Sequence, residues 1–249
     1  MLTTLSCTST KSLVYFSNIK EGENYKKPIA QVAETQIQPD DLLAISVSSL
    51  NPESNILFNN GTLTTAGSAT QVAAPVRSAT DGYLVDKSGN INFPVLGPIE
   101  LGGLTKVEAT NKLTKAVKDY VKNPIINIRF LNFRITVLGE VNRPSSFTVP
   151  TERVNVLEAL GLAGDMTPYG KRNNVLVIRE KDGVRNTIRL DLNDTNAFNS
   201  PAFYLQQNDV VYVEPTKARE VQASSRSFYL PIALTALSVL SFLIAAFKR

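Results

Sequence analysis

One helix in this sequence carries marks at both ends, and it fixes what its neighbours can be. Thr105-Lys106-Val107-Glu108 fits a capping box, in which the Thr hydroxyl and the Glu carboxylate each satisfy a free backbone donor. Leu113, Ala116, Val117, Tyr120 and Val121 then recur at helical spacing as an apolar stripe, with Lys112, Lys115, Lys118 and Lys122 on the outer side. Asn123-Pro124 stops the helix, because proline has no amide donor and pushes its predecessor out of the α region. Extended runs flank it: two short β-runs around Ser88-Gly89 and a Gly-Pro-rich link before, and the alternating Ile126, Ile128 and Phe130 after. Residues 82–133 therefore read as a compact β-β-α-β unit, and no residue in it suggests chemistry.

Composition narrows the function classes. A chain of 249 residues suffices for one large or two small domains with appendages, and 43% hydrophobic against 19% charged residues allows a buried core. The net charge of +4 is mild and its basic residues are scattered, so no nucleic-acid partner is expected. There is no histidine and no tryptophan, which removes the commonest general base and metal ligand. A single cysteine rules out an internal disulfide framework and a thiolate zinc site. Neither a cofactor nor a metal is expected.

A glycan-cleaving enzyme would need two carboxylates held apart in a cleft. Asp40-Asp41 and Asp191 with Asp194 are available, but both pairs stand at strand ends beside turn residues, where capping accounts for them. Tyr83, Tyr169, Tyr204 and Tyr212 are able to stack on sugars, yet half-buried strand tyrosines are ordinary. The expectation is a protein that is not an enzyme.

The rest of the chain is β-rich. Leu43, Ile45 and Val47 alternate after a Pro39-Asp40-Asp41 turn, and residues 59–79 are small and polar, an inserted flexible loop. Residues 135–141 form a strand, Asn142-Arg143-Pro144 turns it, and Phe147-Thr148-Val149 pairs back. Asn155-Val156-Leu157-Glu158 is a second capping box, and a hairpin follows around Asp182-Gly183. The run from Leu205 to Val213 repeats the apolar and polar pattern of Ile37 to Ile45 position for position, which suggests two related modules.

Both termini bear on membranes. Thr4-Leu5-Ser6-Cys7 is similar to the end of a bacterial lipoprotein signal, or is an unremarkable cysteine in a floppy terminus. Residues 8–32 look like a tether with an apolar island at 13–16. Residues 228–247 carry no charge, and a helix of that length spans roughly 30 Å, one hydrocarbon core. A transmembrane helix is expected there, with a buried core helix as the alternative. Thr235, Ser238 and Ser241 fall at i, i+3 and i+6, a narrow polar stripe able to face a pore or to bond back to its own backbone.

Three motifs in order resemble the outer-membrane polysaccharide export proteins of bacterial capsule and exopolysaccharide systems. Residues 37–47 follow the pattern I-x-P-G-D-x-L-x-I-x-V, with Asp40 in place of the glycine. Residues 89–97 follow G-x-[IV]-x-[FL]-P-x-[IL]-G, and the helix ends in Asn123-Pro124. Residues 137–147 follow the opening of a soluble-ligand-binding β-grasp domain, V-x-G-E-V-x-x-P-G-x-[FY], with Ser145 in place of the glycine.

The resemblance implies an α+β fold of two β-rich modules followed by a C-terminal transmembrane helix. Its expected layout is a signal-peptide remnant at 1–6, a lipidated tether at 7–33 and a polysaccharide export domain at 34–133. A β-grasp domain at 134–221 and the membrane helix at 226–249 complete it. It implies lipid attachment at Cys7, a homo-oligomeric ring at the periplasmic face of the outer membrane, and polysaccharide handed over by an inner-membrane copolymerase. Thr235, Ser238 and Ser241 are then the pore-facing candidates. The competing expectation is a monomeric, membrane-tethered β-grasp receptor or adaptor without a pore.

Overall fold

The computed structural model describes residues 13–22, 24–26, 28, 34–50, 57–59, 82–151, 153–181 and 183–247. The signal remnant at 1–6, Cys7 and nearly all of the expected loop at 59–79 lie outside the described residues.

In the first module β1 (Leu42–Ser48) runs between β2 (Tyr83–Leu84) and β5 (Ile125–Phe130), antiparallel to both. Strict alternation turns Leu43, Ile45 and Val47 of β1 and Ile126, Ile128 and Phe130 of β5 to one buried face. Helix α1 (Lys106–Val117) covers that face with Ala109, Leu113 and Val117. Both halves of its capping box form: the Glu108 amide donates to Thr105 Oγ1 at 3.3 Å, and the Thr105 amide donates to Glu108 Oε2 at 2.8 Å. The helix ends at Val117, one turn before Asn123-Pro124; Val121 is still buried, and Asn123 reverses the chain at φ 52°.

The Gly-Pro-rich link is a strand. Asn90–Phe93 (β3) pairs with Gly97–Glu100 (β4), and Pro98 stands opposite Asn92 in a two-stranded sheet whose outer edge needs no donor from it. Gly102 does not need a left-handed backbone. Its constraint is contact: a Cβ there would lie 2.7 Å from Gly89 Cα, and the Leu101 and Gly102 amides both donate to the Gly89 carbonyl at 2.8 Å.

The second module holds β6 (Arg134–Gly139), β7 (Ser145–Thr148), β8 (Val154–Asn155), α2 (Val156–Leu162), β9 (Gly170–Lys181), β10 (Val184–Leu190), a 3-10 turn (Thr195–Asn199), β11 (Tyr204–Leu205) and β12 (Val210–Pro215). Its main sheet has the order β10-β9-β12-β6-β7, with β12 parallel to β6 and the other pairs antiparallel. The second capping box forms at Asn155 and Glu158. One hydrophobic cluster joins both modules, passing through Phe130, Phe133 and Ile135 at the link between them.

Two helices follow, α3 (Lys217–Ala223) and α4 (Ser225–Phe247). Here the expected transmembrane helix at 226–249, and with it the spanning C-terminal segment assigned to the outer membrane, is corrected. Among the described residues no helix is long and apolar enough to cross a membrane. Pro231, Thr235, Ser238 and Ser241 interrupt the apolar character of α4. The α+β arrangement of β-rich modules stands without that helix.

Replacing Gly102 by Val is expected to lower stability by about 2 kcal/mol or more, because the hairpin turn at Gly89 has to move away. A urea unfolding midpoint equal to that of the wild type would refute this packing constraint.

Candidate functional site

The repeat seen in the sequence is built as two equivalent turns, each leading into the central strand of a module. Gln38 N donates to Asp41 Oδ2 at 2.8 Å, and Gln206 N donates to Asp209 Oδ2 at 2.8 Å. The returning bonds also match, from Asp41 N to Gln38 O and from Asp209 N to Gln206 O, both at 3.2 Å. The residue before each aspartate is left-handed, Asp40 at φ 70° and Asn208 at φ 65°. This explains the glycine in the export pattern, and it shows that Asp40 keeps the turn. Ser145, the other departure, opens β7 without a positive φ. Gly139 of the second motif is bound to its type: at φ 92° its Cβ would stand 2.1 Å from the Val213 carbonyl oxygen.

The two aspartates, both fully buried, differ in their partners. Asp209 is held by Arg179, with Nη2 at 2.6 Å from Oδ2 and Nε at 2.9 Å from Oδ1. Burial pushes its carboxyl upward, and the guanidinium pulls against that push. In the first module the place of Arg179 is taken by Asn132: Leu131 pairs with Leu42 as Ile178 pairs with Val210. Asn132 accepts from Leu42 N at 2.9 Å and donates to Asp40 O at 3.0 Å, which ties the turn but brings no charge. Gln207 comes from the other turn, donating to Asn132 O at 2.7 Å and accepting from Arg134 N at 2.8 Å. Asp41 Oδ1 has no hydrogen-bond partner. Burial raises the Asp41 carboxyl to about 6, with Asp40 adding to the rise and the Gln38 amide and Gln207 opposing it.

The N-terminal segment is not a free tether where it is described. Residues 13–19 lie against the second module as a strap. Phe16 N donates to Leu192 O at 2.9 Å, and the Phe16 ring stacks on Phe198 with centroids 4.4 Å apart. Asn193 Nδ2 donates to Val14 O at 2.7 Å, and Asn18 bonds Asp194 and Thr195. The Tyr15 hydroxyl donates to Asp165 Oδ1, and its ring lies under the Arg172 guanidinium, 5.2 Å from the centroid. Burial, then the Asp165 contact, raises the Tyr15 hydroxyl far above its ordinary range. Arg172 is itself buried, with Nε unpartnered. The island at 13–16 was visible in the sequence as apolar; its destination was not, since its partners lie some 150 residues away or more.

The other sequence candidates separate. Cys7 lies outside the described residues. Thr235, Ser238 and Ser241 share one side of α4, and each hydroxyl donates to its own helix: Thr235 to Pro231 O and Ile232 O, Ser238 to Thr235 O, and Ser241 to Ser238 O, at 2.8–3.0 Å. Asp191 and Asp194 serve as turn caps, accepting from Asn193 N at 2.9 Å and Asn196 N at 2.7 Å. Tyr83 and Tyr204 are half-buried among aromatic neighbours, Phe93 and Phe203. Among the described residues no three His, Cys, Asp or Glu side chains gather as a metal site.

Residues 30–131 match the polysaccharide biosynthesis/export protein family, and residues 134–213 match the SLBB domain. The chain belongs to the polysaccharide export family. The EPS I polysaccharide export outer membrane protein EpsA of Ralstonia solanacearum is 28% identical over 207 residues, which are 81% of this chain and 53% of the relative. Its namesake from Ralstonia nicotianae is 25% identical over 197 residues, 78% of this chain and 50% of the relative. The chain thus spans about half the length of these curated relatives.

Two outcomes are expected from these contacts. Arg179→Ala leaves Asp209 buried without its cation and is expected to cost about 3–5 kcal/mol in urea unfolding; a cost below about 1 kcal/mol would show the pair to be dispensable. Phe16→Ala is expected to release the strap, so that limited proteolysis cuts before residue 20 at least several-fold sooner while the rest of the chain stays resistant. Unchanged cutting would mean that the strap is held elsewhere.

Proposed function

We propose that this protein is a non-enzymatic part of a polysaccharide export conduit, assembled as a homo-oligomeric ring at the periplasmic face of the outer membrane. The observation that carries the reading is the order of the two matched regions, an export domain followed directly by an SLBB domain, together with the identity to relatives named for polysaccharide export. In this reading polysaccharide reaches the ring from an inner-membrane copolymerase. In this reading attachment rests on lipidation of Cys7.

The strap supports that attachment geometrically. Leu13 stands six positions after Cys7, a reach of at most about 22 Å. A lipid on Cys7 would therefore hold the membrane surface close to the Phe16–Phe198 contact of the second module.

Deleting the gene from its host is expected to abolish secreted polysaccharide, and the wild-type chain restores it. A Cys7→Ser variant is expected to restore little and to leave the membrane fraction. Native mass spectrometry of the membrane-extracted protein is expected to find a closed oligomer. Undiminished polysaccharide in the deletion strain would overturn the export reading; a strict monomer would favour a tethered β-grasp receptor instead.

A further inference from the structure

We propose that Asp41 makes the joint between the two modules proton-operated: uptake of a proton by its carboxyl tightens the joint, and release of the proton loosens it. The device follows from comparing the two turns. Each buries an aspartate to cap the chain entering a central strand, yet only Asp209 has a guanidinium beside it. At the equivalent place the first module has Asn132, whose amide is spent on Leu42 N and Asp40 O. Asp41 Oδ1 is left buried and unpartnered at the point where Asn132 and Gln207 connect the modules.

The groups around this carboxyl contain no compensating cation. Asp40, on the same turn, adds a like charge. Gln207 from the second module and Asn132 from the link are neutral, and Arg134 beside them is exposed, engaging Gln207 through its amide. On the segment after β2, Asp86 is committed to the Ser88 and Asn90 amides. Beyond Gln38 and Pro39 lies a cleft of about 560 Å³, whose far wall is the tip of the β9–β10 hairpin with Glu180, Lys181 and Arg185. Glu180 and Arg185 are paired there at 2.5 Å, exposed to solvent. The turn that carries Asp41 thus forms one wall of a cleft between the modules.

The sign follows from the raised carboxyl. A carboxyl that holds its proton more tightly buried than exposed favours, at low pH, the arrangement of the joint that keeps it buried. That contribution is complete below the ordinary carboxylate value of 3.8 and is lost as pH rises through about 6.

The test uses the full chain. Carboxyl ¹³C NMR of aspartate-labelled protein is expected to place the Asp41 midpoint near 6; a midpoint below about 4.5 overturns the proposal without any variant. Hydrogen exchange at the joint amides of Leu42, Leu131 and Arg134, corrected for intrinsic rates, is expected to slow at least tenfold between pH 7.5 and pH 5. In Asp41→Asn, which keeps an acceptor for Gln38, this pH response is expected to vanish, while Asp209→Asn keeps it. An equal response in wild type and Asp41→Asn, or none in wild type, refutes the joint.

Discussion

The structure depends on a small turn used twice, in which a buried aspartate accepts the amide three residues before it and starts a central strand. The turn bends the chain through a left-handed residue, Asp40 in one module and Asn208 in the other, and the aspartate absorbs an amide that would otherwise be stranded. β1 and β12 are the central strands of the two larger sheets, so misplacing either turn would shift the register of the strands paired to them. The capped α1 and α2 then close the modules, and a common apolar cluster fuses them.

The two copies of the turn are equal in geometry and unequal in electrostatics. Arg179 enters from β9 because that strand extends past the turn; β5 stops at Phe130, and Asn132 in the link takes the place. A short amide secures the backbone as well as a guanidinium would, but it leaves the charge of Asp41 uncompensated. The module boundary is therefore the place where the fold is mechanically complete and electrostatically open.

The strap and the C-terminal helices both join the second module. The strap brings residues 13–19 onto Phe198, Asn193 and Asp165, and α3 and α4 leave from the end of β12. In α4, Leu230, Leu234, Leu237 and Phe242 are exposed, while the hydroxyls of Thr235, Ser238 and Ser241 turn inward to their own carbonyls. A polar stripe defined by spacing is thus chemically quieter than its sequence implies, because each hydroxyl has a backbone acceptor within one turn.

What the sequence determined by itself was local or periodic. Both capping boxes, the alternation of β1 and β5, the Asp-Gly hairpin and the likeness of the two turns were legible because each depends on residues a few positions apart. The order of motifs was legible for the same reason, and it carried the family. Only the tertiary structure decided that the Gly-Pro link pairs as a strand, that Gly102 is required by contact with Gly89, and that an apolar island near the N-terminus docks on the second module. It also corrected the membrane span expected from the uncharged C-terminal run. The partners of Asp41 and Asp209 were hidden most deeply. Their turns share one apolar and polar pattern, and their difference lies in what long-range strand pairing brings opposite, Asn132 in one case and Arg179 in the other.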